Sequence, residues 1–436
     1  MRVTSPTLMA ITLLLTAETA SANGRFPQAQ HLVAGPGVRD DLILVRATFG
    51  LLLSDDGGQR FRFLCEDAWE FLDGFDPTVL VGGQGSMLVG LTNGLTRSRD
   101  GCAPTRDPDL DGYYVADLAA NPAGSVVIAA AMPPGPRRAR VARAINGGER
   151  FEVLPFVFDD ATLNTVEVGD AAGTTLYASG AVGDARAPAL WRSDDGGQHW
   201  SRSAAHFAAG DELYIAGVHP TRPRVIWVRA AREGDAGLGG TALLRSDDGG
   251  ETFREVGQTR GPMRGFALRG DGEAVWIGGP SDGLLRSDGG GAFRVVSEER
   301  VECLRWHANT LWACGTFAPG AVMLWRAHGD GALAPALRWS DVEPPPVSRC
   351  APGTPLREIC PQRWQSVRGV IGAGRPDAGL DAGAVDAGVS PPPPSGCRCH
   401  VGAKGGAGRW GLAALALWVT ARARGSRAGT RGPRRR

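Results

Sequence analysis

Three aspartates at alternate positions have the residue type and spacing of a metal site. Asp107, Asp109 and Asp111 are followed directly by Gly112 in the stretch RDPDLDGYY at 106–114. Carboxylates at alternate positions before a glycine can converge on one hard cation through oxygen ligands. The spacing therefore predicts a calcium site, and calcium is the one cofactor that the sequence indicates. The alternative is an acidic turn that faces solvent.

Other acidic residues raise the question of glycoside hydrolysis, which usually needs two carboxyl groups facing one sugar. The candidates are Asp40, Asp41, Asp159, Asp160, Asp211 and Glu212. No spacing singles out a pair among them. No Ser/His/Asp set, phosphate-binding loop or dinucleotide fingerprint is visible either, so the sequence assigns no catalytic residue.

A third set of polar residues recurs along the chain. LLLSDDGGQRF (51–61), LWRSDDGGQHW (190–200) and LLRSDDGGETF (243–253) share the template Ser-x-Asp-x-Gly-x-x-aromatic. The complete copies are Ser54, Asp56, Gly58 and Phe61; Ser193, Asp195, Gly197 and Trp200; and Ser246, Asp248, Gly250 and Phe253. A fourth copy keeps the spacing as Ala144, Asn146, Gly148 and Phe151. More degenerate copies begin at 98, 287 and 327.

The residue types in this template suit a tight turn between two strands. Glycine adopts positive φ without a steric penalty, and an aspartate side chain accepts hydrogen bonds from the amides of its own turn. The serine hydroxyl can bond the strand end, and the aromatic ring can fold over the hairpin. We therefore interpret the repeated polarity as a structural fastener and not as an active site.

The spacing of the copies predicts the architecture. They begin at 54, 98, 144, 193, 246, 287 and 327, which is the interval of a four-stranded propeller blade. Apolar strand pairs precede each copy, as in CLRWHANTLWACG at 303–315. We predict an all-β fold, a seven-bladed β-propeller over residues 23–342, followed by a cysteine-bearing closing segment at 343–370.

The template resembles the Asp-box, or bacterial neuraminidase repeat (BNR), of sialidases, sortilin-type receptors, some xyloglucanases and photosystem assembly factors. The resemblance implies a sialidase-like propeller, but these families do unrelated things, so it implies no single activity. A sialidase would need three arginines and a Tyr–Glu nucleophile pair. Arg25-Phe26-Pro27 is similar to the Arg-Ile-Pro motif of that family, and the available tyrosines are Tyr113, Tyr114, Tyr177 and Tyr214.

Both ends of the chain have the pattern of targeting segments. Residues 1–22 combine Arg2, an apolar run and a small-residue site, which predicts a signal peptide cleaved after Ala22. Residues 371–396 form a linker rich in Asp-Ala-Gly and proline, typical of disorder. Residues 397–436 then contain a cysteine motif, a short apolar run and an arginine tail.

This last order of parts resembles the myxobacterial C-terminal sorting signal (MYXO-CTERM). The resemblance implies transient membrane contact, processing near Cys397 and retention at the cell surface or outer envelope. The tail could instead persist as a weak membrane anchor, or it could be a basic end with no role. Release of the protein into the medium is also open.

Six further cysteines in an exported chain favour disulfides. They are Cys65, Cys102, Cys303, Cys314, Cys350 and Cys360. Cys303 and Cys314 flank a predicted hairpin turn, Cys350 and Cys360 close a short loop, and Cys65 and Cys102 lie in neighbouring blades. We predict these three pairs, although six cysteines allow fifteen pairings.

Charge and aromatic content limit the partners. Residues 23–396 carry 36 basic and 45 acidic residues, a net charge of −9, which argues against nucleic acid. Most of the strand tryptophans are expected between blades, and one or two could stack on sugars at the channel mouth. These residues are Trp191, Trp227, Trp276, Trp306, Trp312 and Trp325.

The favoured function is a monomeric, surface-retained binding or scaffolding propeller for an extracellular glycan or protein ligand, without catalysis. The alternative is a glycoside hydrolase, sialidase-like or xyloglucanase-like. An enzyme should place two or more carboxylates, or an arginine cluster, at one end of the central channel, whereas a binding protein need not.

Overall fold

A computed structural model describes residues 27–373 except 72–73, 136, 233–238 and 319. The described residues form strands, short 3-10 helices and one α-helix. The 3-10 helices are Gly37–Arg39, Glu66–Trp69, Pro108–Leu110, Trp339–Asp341 and Val347–Arg349. The α-helix, α1, is Pro355–Ile371.

Five separate sheets contain four antiparallel strands each, in chain order. The first two are β1 (Ala29–Ala34), β2 (Ile43–Ala47), β3 (Gly50–Ser54) and β4 (Arg62–Cys65), and β5 (Thr78–Val81), β6 (Met87–Leu91), β7 (Gly94–Ser98) and β8 (Thr105–Arg106). The other three are β18 (Glu212–Val218), β19 (Ile226–Ala231), β20 (Thr241–Ser246) and β21 (Arg254–Thr259); β22 (Gly265–Leu268), β23 (Ala274–Gly279), β24 (Gly283–Asp288) and β25 (Arg294–Ser297); and β26 (Cys303–His307), β27 (Thr310–Cys314), β28 (Val322–His328) and β29 (Ala334–Arg338).

The remaining strands belong to one nine-stranded sheet. They are β9 (Tyr114–Ala120), β10 (Val127–Met132), β11 (Arg138–Ala144), β12 (Glu152–Val153), β13 (Phe158–Asp159), β14 (Ala161–Val168), β15 (Leu176–Val182), β16 (Ala187–Ser193) and β17 (Ser201–Arg202). Strand β11 meets β14 in a parallel pairing at one position, Arg138 opposite Ala161. The prediction of an all-β propeller is confirmed. Seven separate blades are not observed, because the hydrogen bonding forms five four-stranded sheets and joins the other nine strands into one sheet.

The innermost strands surround a central channel. Strand β1 contacts β5, β5 contacts β9, and β9 contacts β14. The series continues through β18, β22 and β26, and β26 contacts β1. The chain therefore closes its ring between the first and the last sheet.

The middle strands of the sheets are buried on both faces. Strands β6 and β10 are apolar throughout, and β15 is built mostly of small apolar residues. A strand covered by neighbouring sheets on both sides needs a continuous apolar run and not an alternating one. This burial explains why the polar residues concentrate at the outer turns and in the channel.

The segment after the last sheet returns to the first two sheets. Helix α1 contacts β4 and buries Leu356, Cys360 and Trp364. The Trp364 ring lies 5.5 Å from that of Phe63, between ring centroids. Apolar contact therefore attaches the closing segment to the outer strand of the first sheet.

The described part of the chain contains three disulfides, and one of them matches the predicted pairing. Cys303–Cys314 joins opposed residues of β26 and β27, as predicted. The predicted pairs Cys65–Cys102 and Cys350–Cys360 are wrong: the bonds are Cys65–Cys360 and Cys102–Cys350. The reason is the return of the closing segment, which brings its two cysteines to the first and second sheets. Disulfides indicate an extracellular or otherwise oxidising environment.

Candidate functional site

The repeated outer turns use their polar side chains on their own backbone. In the first complete copy the Ser54 hydroxyl donates to Asp56 at 2.9 Å and accepts from the Gly58 amide at 2.8 Å. The Asp56 carboxylate also accepts from the amides of Gln59 and Arg60, both at 3.0 Å. These side chains therefore have partners within one turn.

The other two complete copies have the same geometry. The Ser193 hydroxyl donates to Asp195 at 2.8 Å, and that of Ser246 donates to Asp248 at 2.7 Å. Gly250 has φ +93°, and a side chain there would come within 2.6 Å of a neighbouring leucine. The serine oxygens also accept from Gly197 and Gly250, and the aromatic residues Phe61, Trp200 and Phe253 are buried or partly buried.

The turn aspartates ionise more easily than usual. Partial burial of Asp56 opposes ionisation, but hydrogen bonds from Arg60 and Ser54 outweigh it and lower the pKa of Asp56 to about 2. The amide and ring of His199 lower the pKa of Asp195 to about 2. The pKa of Asp248 is also lowered, chiefly by Thr252 against the opposing effect of burial. These carboxylates are held in the charged form.

The fourth copy lacks the serine hydroxyl of the complete copies. Ala144 is buried and has no hydroxyl, while Gly148 and Phe151 keep their places. Nearby, the buried Asp107 carboxylate accepts from the Phe151 amide at 3.4 Å. A residue of another loop therefore contributes a hydrogen bond at the end of this turn.

The three aspartates of the predicted calcium site do not converge. Asp107 pairs with Arg97 at 2.8 Å, Asp109 with Arg150 at 3.0 Å, and Asp111 with Arg106 at 3.4 Å. The Asp107 side chain is fully buried. Within the residues that the structure describes, no group of three His, Cys, Asp or Glu side chains could hold a metal. Separate arginines neutralise these carboxylates, so the geometry does not support calcium here.

Arginines at the edge of the sheets are a structural feature that the motif analysis missed. The Arg143 guanidinium donates to the Gly196 carbonyl at 2.9 Å, and Arg192 donates to that of Gly249 at 3.4 Å. Each bond reaches the outer turn formed by the next copy of the template along the chain. The signal was in the sequence, because an arginine directly precedes the first template position at Arg97, Arg143, Arg192, Arg245 and Arg286.

The tryptophans serve mainly as packing residues. Trp191, Trp227, Trp276 and Trp312 are buried, whereas Trp306 and Trp325 are partly buried. Trp276 and Trp306 stack with their ring centroids 5.1 Å apart. The tryptophans do not line the channel cavity described below.

A cavity of about 640 Å³ lies at one mouth of the channel, where the innermost strands begin. Its lining is polar and carries both signs of charge. The lining residues are Gln28, Gln30, Arg46, Asp76, Glu212, Tyr214, Arg229, Ala231, Thr241, Pro262, Met263, Arg264 and Glu302. Of the acids and tyrosines considered from the sequence, Glu212 and Tyr214 reach this cavity.

Glu212 and Tyr214 form a hydrogen-bonded pair on β18. The Tyr214 hydroxyl donates to the Glu212 carboxylate at 2.8 Å, and the Arg229 guanidinium lies 5.7 Å from the centre of the Tyr214 ring. Burial and then the Glu212 carboxylate raise the pKa of Tyr214 to about 12. Arg186 also approaches Glu212, at 3.2 Å.

Other residues that line the cavity also donate hydrogen bonds to residues beside neighbouring strands. The Gln30 amide donates to Asp76 at 3.0 Å. Arg46 donates to the Pro77 carbonyl at 2.7 Å, and Arg229 donates to the Met263 carbonyl at 3.0 Å. Burial raises the pKa of the Glu302 carboxyl, which faces the same cavity.

Further charged groups occupy the inner strands. Burial raises the pKa of Asp117 on β9 to about 7 and that of Glu167 on β14 to about 8, where the Asp117 charge adds to the effect. Burial and then Arg46 and Arg305 lower the pKa of His31 to about 3. Sequence reasoning missed this set because its members stand alone in their strands, without a local spacing.

Several sequence predictions fall on residues outside the described part of the chain. They are the signal peptide with its cleavage after Ala22, residues Arg25 and Phe26, most of the 371–396 linker, and the segment 397–436 with Cys397. Within the described residues, none of the helices combines the length and apolar character needed to span a bilayer.

Comparison with known proteins supports the fold and leaves the function open. No known family profile matches the chain, and a search of curated proteins finds no match. Among solved structures, an ancestral GH74 enzyme is similar, with a TM-score of 0.52 and 17% identity. The match covers 72% of this chain but 46% of that enzyme, so this chain spans about half its length.

Two further solved structures resemble the chain more weakly. The GH74 enzyme of Niastella koreensis matches with a TM-score of 0.41 and 12% identity, covering 70% of this chain and 65% of that one. The β-propeller domain of Myceliophteria thermophila Cps50 (Swd1) matches with a TM-score of 0.44 and 13% identity, covering 67% and 94%. The similarity to the ancestral GH74 enzyme, at 17% identity, indicates the fold alone.

Proposed function

We propose that this protein is a binding propeller that holds an extracellular ligand at the channel mouth without transforming it. The observation that carries the proposal is the 640 Å³ cavity with amide, carboxyl and guanidinium groups in its lining. Ligand sites in proteins are concave spaces of this size with a few convergent polar groups. Hydroxyl-rich glycans or polar protein segments match such a lining, since they offer both donors and acceptors.

The cavity is better suited to binding than to catalysis, because its arginine side chains also form hydrogen bonds that hold neighbouring strands. Arg46 and Arg229 donate to backbone carbonyls that end neighbouring strands. The pKa of Tyr214 near 12 disfavours a phenolate nucleophile at neutral pH. These contacts make the lining rigid, which favours affinity by reducing the ordering cost of binding.

A glycoside hydrolase is the second candidate, and one observation favours it. Glu212, Tyr214 and Glu302 lie around one cavity with arginines beside them, the arrangement that an enzyme at the channel mouth requires. The Tyr214–Glu212 hydrogen bond resembles the Tyr–Glu pair that a sialidase needs. The similarity to GH74 structures adds the fold and no more.

We also propose seven blades with Asp-box turns. The nine-stranded sheet counts as two blades, β9–β12 and β14–β17, because a single parallel pairing and the two-residue strand β13 connect them. Seven inner strands in a closed series of contacts support this count. The Ser–Asp–Gly hydrogen bonds of the outer turns support the Asp-box interpretation.

The proposed location is the cell surface, after export and C-terminal processing near Cys397. The three disulfides support an oxidising compartment. Intact-mass measurement of protein from the envelope of the native host tests the processing. A mature species that still carries Arg434–Arg436 contradicts it, and complete release into the medium contradicts surface retention.

A glycan array and a panel of fluorogenic glycosides test the function on the full chain. We expect saturable binding of at least one glycan, no turnover, and loss of binding in Glu212→Gln and Glu302→Gln. The exposed Glu298→Gln serves as the matched control and should bind normally. Turnover that disappears in Glu212→Gln or Tyr214→Phe would instead establish the hydrolase.

A further inference from the structure

An aromatic side chain is exposed to solvent at the channel mouth that contains the cavity. Tyr114 is the first residue of the innermost strand β9, and 38% of its surface is exposed. Strand β9 contacts β5, the strand that follows the cavity-lining residue Asp76. Because the cavity lies where the innermost strands begin, Tyr114 lies at the same mouth, beside the cavity wall.

A second aromatic ring orients Tyr114. The rings of Phe75 and Tyr114 have centroids 6.0 Å apart, with an angle of 70° between their planes. This edge-to-face contact is a favoured arrangement of aromatic pairs, so it restricts the Tyr114 ring to one orientation. Phe75 is itself partly buried, which fixes its own position. We call Phe75 and Tyr114 the aromatic rim.

The aromatic rim and the cavity share one wall, the short segment that begins at Phe75. Asp76 lines the cavity, and its carboxylate accepts from the Gln30 amide at 3.0 Å. Arg46 donates to the Asp76 carbonyl at 3.3 Å and to the Pro77 carbonyl at 2.7 Å. Gln30 and Arg46 also line the cavity. Groups that face the cavity therefore hold the backbone that carries Phe75, and the two surfaces are continuous.

The Tyr114 hydroxyl is available to a ligand. Within the part of the chain that the structure describes, this hydroxyl forms no hydrogen bond with the protein. Burial, and then the Asp117 charge, raise the pKa of Tyr114, so the hydroxyl keeps its proton at neutral pH. Tyr114 thus presents an apolar ring and a hydrogen-bond donor in one side chain.

A saccharide has both properties that these surfaces require. Each pyranose ring has a face of C–H groups, which packs on an aromatic ring, and an edge of hydroxyls, which form hydrogen bonds. The cavity offers the amide groups of Gln28 and Gln30 and the carboxylate of Glu212, whose side chain is about half exposed. A polar peptide matches the cavity but has no apolar face repeated in every unit. The combination of the two surfaces therefore favours a saccharide.

We propose that the cavity and the aromatic rim together bind a saccharide chain, with one sugar in the cavity and the next sugar stacked on the ring of Tyr114. The proposal rests on the proposed function, because it uses the same cavity, and it adds the class of ligand and a second subsite. The strand tryptophans do not line the cavity, so the stacking expected of them falls to Tyr114. No covalent bond forms or breaks.

Titration of the full chain with sugars of increasing length tests the proposal. The probes are the methyl β-glycosides of glucose, mannose and xylose and the β-1,4-linked disaccharide of each sugar. Ligand-observed NMR measures the affinities. We expect at least one disaccharide to bind about tenfold more tightly than its methyl glycoside, because it adds the contact with an aromatic ring. The C–H protons of its second sugar should shift upfield, since an aromatic ring shields protons above its face.

Two variants of Tyr114 separate stacking from hydrogen bonding. Tyr114→Ala should remove the tenfold gain and leave the affinity for the methyl glycoside within about twofold of the wild type. Tyr114→Phe retains the ring, so it should lose only about threefold in disaccharide affinity, as for one hydrogen bond. The control Val295→Ala removes an exposed apolar side chain from the outer strand β25 and should bind as the wild type does. Because all three changes are at exposed positions, the melting temperature should stay within about 2 °C of the wild type.

Three results overturn the proposal: no gain from methyl glycoside to disaccharide in any series, unchanged disaccharide affinity in Tyr114→Ala, or equal losses in Tyr114→Ala and Val295→Ala. If Glu212→Gln weakens disaccharide binding but Tyr114→Ala does not, this inference fails while the proposed function stands. Binding of a peptide rich in serine and asparagine, without binding of any sugar, has the same consequence and assigns the mouth to a protein partner. If neither the sugars nor the peptide bind, both proposals fail.

Discussion

The outer turns and the channel shift the pKa of carboxyl side chains in opposite directions. At the outer turns the pKa values of Asp56 and Asp195 fall to about 2. In the channel those of Asp117 and Glu167 rise to about 7 and about 8. The comparison separates carboxyls at the outer turns, whose charged form is favoured, from carboxyls in the channel, whose charged form is disfavoured.

The cause of the difference is the depth of burial, weighed against the available hydrogen-bond donors. Asp117 accepts from the Val166 amide at 2.9 Å and from the Thr78 hydroxyl at 3.4 Å, yet burial still raises its pKa. A turn offers free amides, and Asp56 accepts two of them as well as the Ser54 hydroxyl. Inner strands use their amides in strand pairing, so Glu167 is desolvated with little compensation. Burial without donors favours the neutral acid, and donors favour the charged form.

The largest expected effect concerns the disulfide that joins the closing segment to the outer strand of the first sheet. Replacing both Cys65 and Cys360 with serine should lower the free energy of unfolding by about 4 kcal/mol, because with Cys102–Cys350 intact the bond closes an effective loop of about 50 residues. The matched control removes Cys303–Cys314, which spans 11 residues in one hairpin and should cost about 3 kcal/mol. Chemical denaturation measures both. An equal or larger loss in the hairpin variant would mean that the closing segment does not fasten the ring.

The next effect concerns the turn carboxylates. Asp248→Ala leaves the amides of Glu251 and Thr252 without their acceptor, so we expect a loss of about 2 kcal/mol in unfolding free energy. The control Asp247→Ala removes an exposed carboxylate that pairs only with arginine side chains, and it should change stability by less than about 0.5 kcal/mol. Equal effects in the two variants would contradict a structural role specific to Asp248.

A smaller effect of opposite sign is expected in the channel. The folded-state pKa of Glu167 lies above its unfolded value, so the folded state loses stability as pH rises from about 4.5 through about 8. Glu167→Gln should therefore match the wild type at about pH 3.5, below the unfolded pKa, and be more stable by about 1 kcal/mol at pH 9, since channel water screens part of the shift. Thermal unfolding at the two pH values measures the difference. A variant that is destabilised at pH 9 would show that the Glu167 charge has a partner.

The smallest expected effect is that of calcium. Because Asp107, Asp109 and Asp111 pair with different arginines, millimolar Ca²⁺ should leave the melting temperature within about 1 °C of its value in chelator. Differential scanning calorimetry measures this. A rise of several degrees in the melting temperature that Asp109→Asn abolishes would show that Ca²⁺ displaces these arginines from the carboxylates.

The sequence predicted local features well and convergent ones poorly. The propeller followed from a repeated turn whose residues lie within eight positions, as in Ser246 to Phe253. The Cys303–Cys314 bond followed from one hairpin. Cys65–Cys360 did not, because it depends on the return of α1 to the first sheet.

The titratable and charged groups of the inner strands could not be found by spacing at all. They range from His31 to Arg305 and lie on the separate strands β1, β9, β14 and β26. Only closure of the ring brings them together. The Asp107 stretch shows the opposite error, because its spacing resembled a metal site and nearby arginines had already neutralised it.

Site-resolved carboxyl titration by ¹³C NMR tests the contrast between the outer turns and the channel most directly. Labelled Asp and Glu side chains, assigned by Asp56→Asn, Asp195→Asn, Asp117→Asn and Glu167→Gln, are followed from pH 2 to pH 9. We expect midpoints of about 7 for Asp117 and about 8 for Glu167, while Asp56 and Asp195 stay ionised down to pH 3. If all four carboxyls titrate together near pH 4, the opposite pKa shifts of the outer-turn and channel carboxyls are contradicted.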